Sequence, residues 1–281
     1  MDQTVNYFRK HFGHSHLFLP GNSVRQEIDE NTNELGTSRL SLNRTSIAWS
    51  LGIMAFILIL ANITALLADH LTGYNSILIH KLVKFFYVEL ELNAPAFFSM
   101  LLLLFASLLL AVITVFKKKH AAPFVLEWSI LSFGFLYMAF DEIVAIHERL
   151  IEPMRSILGE TNLGIFYFAW VVPAIALILI LAVFFLRFLL NLPMKTRLLF
   201  LIAAALYLGG AVGLELIEGK YAETYGKENL IYIVLTTLEE SLEMIGTIVF
   251  IWGLLGYIAD TYRRVEVRFG VWGENQEKGK S

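Results

Sequence analysis

The sequence predicts an all-α, polytopic membrane protein with six transmembrane helices and one interfacial amphipathic helix. Three observations carry that expectation. Hydrophobic residues make up 57% of the 281 positions against 17% charged, more than the surface of a soluble domain tolerates. The apolar residues gather in six long runs. Between the first two runs lies a stretch that mixes apolar residues with His80, Lys81, Lys84, Glu89 and Glu91. Cysteine is absent, which excludes disulfides, thiolate metal sites and a cysteine nucleophile. The net charge of −3 gives no footprint for nucleic acid.

Taken in order, residues 1–44 are expected to form a polar cytoplasmic arm. Its His11, His14 and His16 are read as solvated side chains rather than a metal tract. No cleavable signal is expected, because 44 mostly polar residues precede the first run. A single transmembrane domain over 45–260 follows, with spans near 45–68, 92–116, 123–146, 163–188, 196–218 and 232–259. Ile77–Leu90 reads as an amphipathic helix on the outer interface. Asn93-Ala94-Pro95 supplies the start of the second span, Asn as cap and Pro in the first turn. Pro173 predicts a kink in the fourth span. In the fifth, Gly209 and Gly213 predict a close helix approach. Residues 261–281 form a polar tail.

Three of the six runs hold 24, 25 and 26 uncharged residues: Thr45–Ala68, Leu92–Phe116 and Thr161–Leu186. The other three hold 13, 17 and 16, short of the roughly 20 that a span needs. Trp128–Phe140 stops at Asp141 and Glu142, and Leu198–Leu214 stops at Glu215 and Glu218. Met244–Ala259 follows Glu239, Glu240 and Glu243. With spans alternating in direction, all three acidic groups fall toward one face of the membrane. A helical rise of 1.5 Å per residue places Asp141 about 20 Å into its span, so the acids form a layer in the outer third.

At 100° per residue, Glu239 and Glu243 lie about 40° apart and Glu240 within about 60° of Glu243. Three ionised carboxylates in hydrocarbon would cost on the order of 8–10 kcal/mol, and no Lys or Arg lies inside these runs to offset it. Either some carry protons or a cation holds them. The candidate ligands are Asp141, Glu142, His147, Glu215, Glu239, Glu240 and Glu243, with Thr236 and Thr237 able to add hydroxyls. Glu148, Glu152, Glu218, Glu223 and Glu228 read as wetted or paired interfacial residues. The spans carrying acids, third, fifth and sixth, are expected to pack together, with the first, second and fourth facing lipid or a second subunit.

The expected function is binding and movement of a small cation, a divalent metal or a proton. Oxygen ligands suit Ca²⁺, Mn²⁺ or Mg²⁺, and suit Zn or Fe less well. The alternatives are a membrane-embedded metal-dependent enzyme acting on a lipid-like substrate, and a structural or sensing module. Against an enzyme, His147 has Val144 three residues before it, so no Glu-x-x-His unit forms. No Gly-x-Ser-x-Gly elbow occurs either. The partners are the bilayer and the cation, and a homo-oligomer is compatible. Counting Lys and Arg near the span ends gives 11 on one side and 6 on the other. That places both termini in the cytoplasm of a cell inner membrane, with Trp49, Trp128 and Trp252 near the inner interface and Trp170 near the outer.

Overall fold

A computed structural model of the chain describes residues 43–73, 76–159 and 161–262. The arm with His11, His14 and His16 lies outside the described residues. Those described are helical, with no strand among them. Helix α1 spans Arg44–Leu71, α2 Ile77–Phe86, α3 Ala94–Lys119 and α4 Val125–Val144. A short α5, Ile151–Leu158, precedes α6, Val171–Asn191. Then come α7, Met194–Leu208, a π-helical turn over Gly209–Leu214, α8, Glu215–Tyr225, and α9, Leu230–Thr261. Five helices, counting α7–α8 as one, are long and apolar enough to cross a membrane, or six if α4 and the bent segment after it form one span.

Caps fix several starts. Asn43, Ser76, Asn93 and Asn229 each accept a backbone N–H of the first turn of α1, α2, α3 and α9. The helix starting at Ile77 stops at Phe86, four residues before the expected end. Asn93 both caps α3 and donates to the Tyr87 carbonyl, folding 87–92 into a turn. The fourth apolar helix begins at Val171, so Pro173 sits in its first turn, where no backbone donor is lost and no kink is required.

Helix α9 is central: it packs against α7, α1 and α3, and α3 lies along α4. Over their most apolar windows α9 is 56% buried and α3 44%, against 17% for α1 and α6. The expectation that the second span faces lipid or a second subunit is therefore overturned, since α3 packs against α4 and α9. Its small residues Ala96, Ser99, Ala106 and Ser107 are buried and let neighbours approach. Ser107 and Ser132 exchange hydroxyl-to-carbonyl bonds of 2.8 and 3.0 Å across α3 and α4, and Asn62 donates to Thr237 across α1 and α9 at 3.1 Å.

The half of the bundle near the C-terminus of α9 is filled by an apolar cluster. Trp128, 1% exposed, meets Phe188 and Tyr257 at 5.0 Å and Phe200 at 6.2 Å. Phe250 stacks on Phe135 at 4.6 Å. Trp128, expected in an interfacial belt, is the centre of this aromatic layer. Burying its rings in this cluster gains more than burying its one polar atom costs.

Candidate cation-binding site

Toward the other end, one cavity of about 150 Å³ opens between the helices. Every carboxylate of the three acidic groups lines it: Asp141 and Glu142 of α4, Glu215 and Glu218 of α8, and Glu239, Glu240 and Glu243 of α9. His147 lines it as well. Glu89 and Glu91, from the turn between α2 and α3, and Glu148 add to the rim. Tyr207, Trp170, Tyr232 and Thr236 also reach it, whereas Thr237 is engaged by Asn62.

Two breaks in helical geometry build this convergence. The first ends α4. Ala145 adopts the left-handed region at φ 48°, and the following segment turns away by 78°. His147 folds back so that its N–H donates to Asp141 Oδ1 at 2.9 Å and its Nδ1 lies 2.7 Å from Oδ2. Its ring lies 4.7 Å from that of Trp170. A continuous helix would have sent Glu142 and His147 to opposite flanks; the turn brings both to one cavity. The strained left-handed residue costs on the order of 1 kcal/mol, which the two bonds to Asp141 offset.

The second break is the π turn at Gly209–Leu214, which inserts extra backbone into the helix and rotates all that follows. It presents Glu215 and Glu218 toward α9. Close approach depends on Gly210, not on Gly209 or Gly213. A Cβ at Gly210 would stand 2.8 Å from the Glu239 carbonyl, while a Cβ at Gly209 would meet nothing and one at Gly213 nothing closer than 3.8 Å. Across the same contact, a Cβ at Gly246 would meet the Tyr207 amide at 2.7 Å. The phase change introduced by the π turn is why the glycine spacing in the sequence misidentified the packing face.

Glu218, expected at a wetted interface, is 1% exposed, and its Oε1 is buried without a hydrogen-bond partner. One oxygen each of Glu215, Glu218 and Glu239 lie within 4.8 Å of one another. Carboxylate oxygens so placed attract only through a shared proton or a cation. Glu215 is further oriented by Trp170, whose indole N–H donates to it at 2.9 Å, and the Tyr207 hydroxyl reaches Glu243.

The basic residues that could neutralise the cluster are spent elsewhere. Arg155 donates twice to the Tyr167 carbonyl, at 3.1 and 2.9 Å, and lies over that ring. Arg149 donates to the Val144 carbonyl. Glu223 does behave as a surface group, accepting the amides of Leu163 and Gly164. Lys227 alone among the described Lys and Arg residues pairs with a cavity acid. Its Nζ lies 3.4 Å from Glu89, whose carboxylate also accepts the hydroxyls of Tyr87 and Tyr232 at 2.9 Å. Tyr87 is held protonated by burial and by the Glu89 charge, which push its hydroxyl up.

Glu91, at the open mouth, is pushed up to about 7, first by the desolvation it does suffer and then by the charge of Glu148. Its folded-state value lies above its free value, so the fold favours the protonated form. That contribution is complete below the ordinary carboxylate range and is lost as pH rises through about 7. Solvent on its exposed side limits the size. Melting temperature without added metal is therefore expected to fall between pH 6 and 8, less so for Glu91→Gln. An equal fall in both proteins would assign the effect to other groups.

The chain matches the family described as Domain of unknown function (DUF8692) over residues 50–257. It belongs to that family. The matched stretch holds every cavity residue, from Val88 to Glu243. No curated protein and no solved structure matches the chain.

Proposed function

We propose that this membrane protein binds a hard divalent cation in its carboxylate cavity and exchanges it with one aqueous phase. The observation that carries the reading is the trio Glu215, Glu218 and Glu239, one carboxylate oxygen of each within 4.8 Å of the others, in which Glu218 also has a buried Oε1 without a hydrogen-bond partner. In this reading Glu215, Glu218 and Glu239 hold the ion. Glu142, Glu240 and Glu243 supply the surrounding negative field, and Asp141 with His147 forms one wall. All-oxygen ligands favour Ca²⁺, Mn²⁺ or Mg²⁺.

The end rich in Lys and Arg is placed in the cytoplasm, so the cavity faces outward from the inner membrane. Movement of the ion through the protein is not part of the reading. The layer of Trp128, Phe188, Phe200, Phe250, Ile251 and Leu254 fills the bundle beyond Glu243 with apolar side chains. The buried Thr247 hydroxyl one turn on is already bonded to the Glu243 carbonyl, which leaves few groups to replace water around an ion. Liposomes carrying the protein are expected to show no divalent flux above empty liposomes, while the protein in detergent binds the ion. Flux through the wild type would restore transport.

Isothermal titration with Mn²⁺, Ca²⁺ and Mg²⁺, each followed by pH-indicator detection of released protons, tests the site. Saturable binding supports it. Absence of binding by all three, with the protein folded, would leave a proton shared between carboxylates. Lys227 supplies a check on location. Because its ammonium competes for the same field, Lys227→Gln is expected to raise divalent affinity about two- to fivefold, the scale of a half-exposed pair. Unchanged affinity would place the ion away from Glu89.

A further inference from the structure

The end of the bundle opposite the cavity carries a cluster of cations. Arg44 opens α1, Lys117, Lys118 and Lys119 close α3, and both elements meet the last turns of α9. The Arg44 guanidinium lies 5.9 Å from the centroid of the Trp252 ring. Its Nη1 occupies the place of a side chain at Gly256, 2.5 Å from where a Cβ would stand. Glycine at 256 is thus what admits the guanidinium to the surface of α9. At the next residue of the same helix, the Lys117 ammonium lies 5.6 Å from the Tyr257 ring.

These cations have faces but no counter-ions. Among the described residues neither Arg44 nor Lys117, Lys118 or Lys119 forms an ion pair. The carboxylates carried near this end, Glu127 of α4 and Asp260 of α9, bridge to none of them. With Nη1 turned into the notch, the Nε–Nη2 edge of the guanidinium is the one left to offer, and such an edge matches the paired oxygens of a phosphate. The residues stand at the ends of helices long enough to cross a membrane, which is the depth of lipid headgroups. Clusters of Lys and Arg at that depth on the cytoplasmic side attract anionic lipid.

We propose that Arg44, held in the Gly256 notch, and Lys117 bind the phosphate of an anionic phospholipid headgroup. The guanidinium edge takes two phosphate oxygens, and the ammonium approaches from the α3 side. The notch makes the site specific, because a guanidinium hung freely at a helix end would be one more solvated charge.

The test is native mass spectrometry of the full chain released from nanodiscs of phosphatidylglycerol and phosphatidylcholine in equal parts. Wild type is compared with Arg44→Gln, Lys117→Gln and Gly256→Ala, the last displacing Arg44 without changing charge. Retained phosphatidylglycerol is expected to drop at least fivefold in Arg44→Gln and Gly256→Ala and about twofold in Lys117→Gln, with phosphatidylcholine unchanged. Circular dichroism melts identify any variant that fails to fold, and Lys117→Gln, altering a side chain near the surface, keeps the comparison available if Gly256→Ala does. A parallel melt with inorganic phosphate separates the sources. Stabilisation of wild type but not of Arg44→Gln by millimolar phosphate, without lipid retention, would overturn the lipid assignment in favour of a free anion. Equal retention of phosphatidylglycerol by all four proteins would overturn the site.

Discussion

Replacing Glu218 with Gln is expected to lower divalent-cation affinity about 100-fold, the equivalent of roughly 2.7 kcal/mol. The substitution keeps size and shape and removes one carboxylate from a set of three, of which Glu218 and Glu239 are buried and Glu215 partly so. Gln cannot give two equivalent anionic oxygens, and its amide nitrogen would turn a donor toward the ion. Glu218 is the decisive position because its Oε1 has no other employment, whereas Glu215 also accepts from Trp170 and keeps a structural role when the cation is absent. The same change should raise the melting temperature of the metal-free protein, since a buried like-charge contact is relieved. A structural carboxylate gives the opposite pattern: lower stability, with cation affinity unmoved. Titration calorimetry beside a thermal melt reads both quantities on one preparation.

Trp128→Ala is expected to cost about 3–5 kcal/mol of stability, the range for removing a fully buried large aromatic side chain. The indole is 1% exposed and contacts rings from α6, α7 and α9. Its loss opens a void touching most of the bundle. Lipid cannot refill that void as it would a surface notch, so the packing contacts are forfeited outright. Because Trp128 lies 13 residues before Asp141 on one helix, about 20 Å away along its axis, the folded fraction should keep its cation affinity. Unfolding in mixed micelles measures the first effect and titration of the refolded fraction the second. A loss under about 1 kcal/mol would mean that the aromatic layer is lipid-filled rather than packed.

The sequence carried the helices well, for a reason specific to membranes. A backbone in hydrocarbon must satisfy its own hydrogen bonds, so a long uncharged run has few structural options. It also carried the convergence of the acids. Isolated carboxylates at Asp141, Glu215 and Glu239 would each be too costly, and alternating spans leave them one face on which to meet.

What escaped is what breaks helical periodicity. Nothing in Gly209-Gly210-Ala211-Val212-Gly213-Leu214 marks a π turn apart from its glycines, and the turn is what carries Glu218 inward. The left-handed Ala145 has no sequence signature, since most left-handed non-glycine residues are Asn or Asp. It sets His147 against Asp141. Glu89 and Glu91 were legible only as part of an amphipathic stretch. Their place on the cavity follows from Asn93 closing the preceding turn. The second span's central position was hidden because a Leu-rich helix reads the same whether it meets lipid or protein, and only its Ala and Ser spacing hinted at contact.

The most direct measurement is metal content by elemental analysis after equilibration with micromolar Mn²⁺, for wild type and for Glu218→Gln with Glu239→Gln. Both proteins are purified in detergent and shown to melt cooperatively. One bound ion per wild-type chain, falling below a tenth in the double variant, is the expected result. Equal content in the two folded proteins, whether near zero or near one, would contradict a cation held by the carboxylates of α8 and α9.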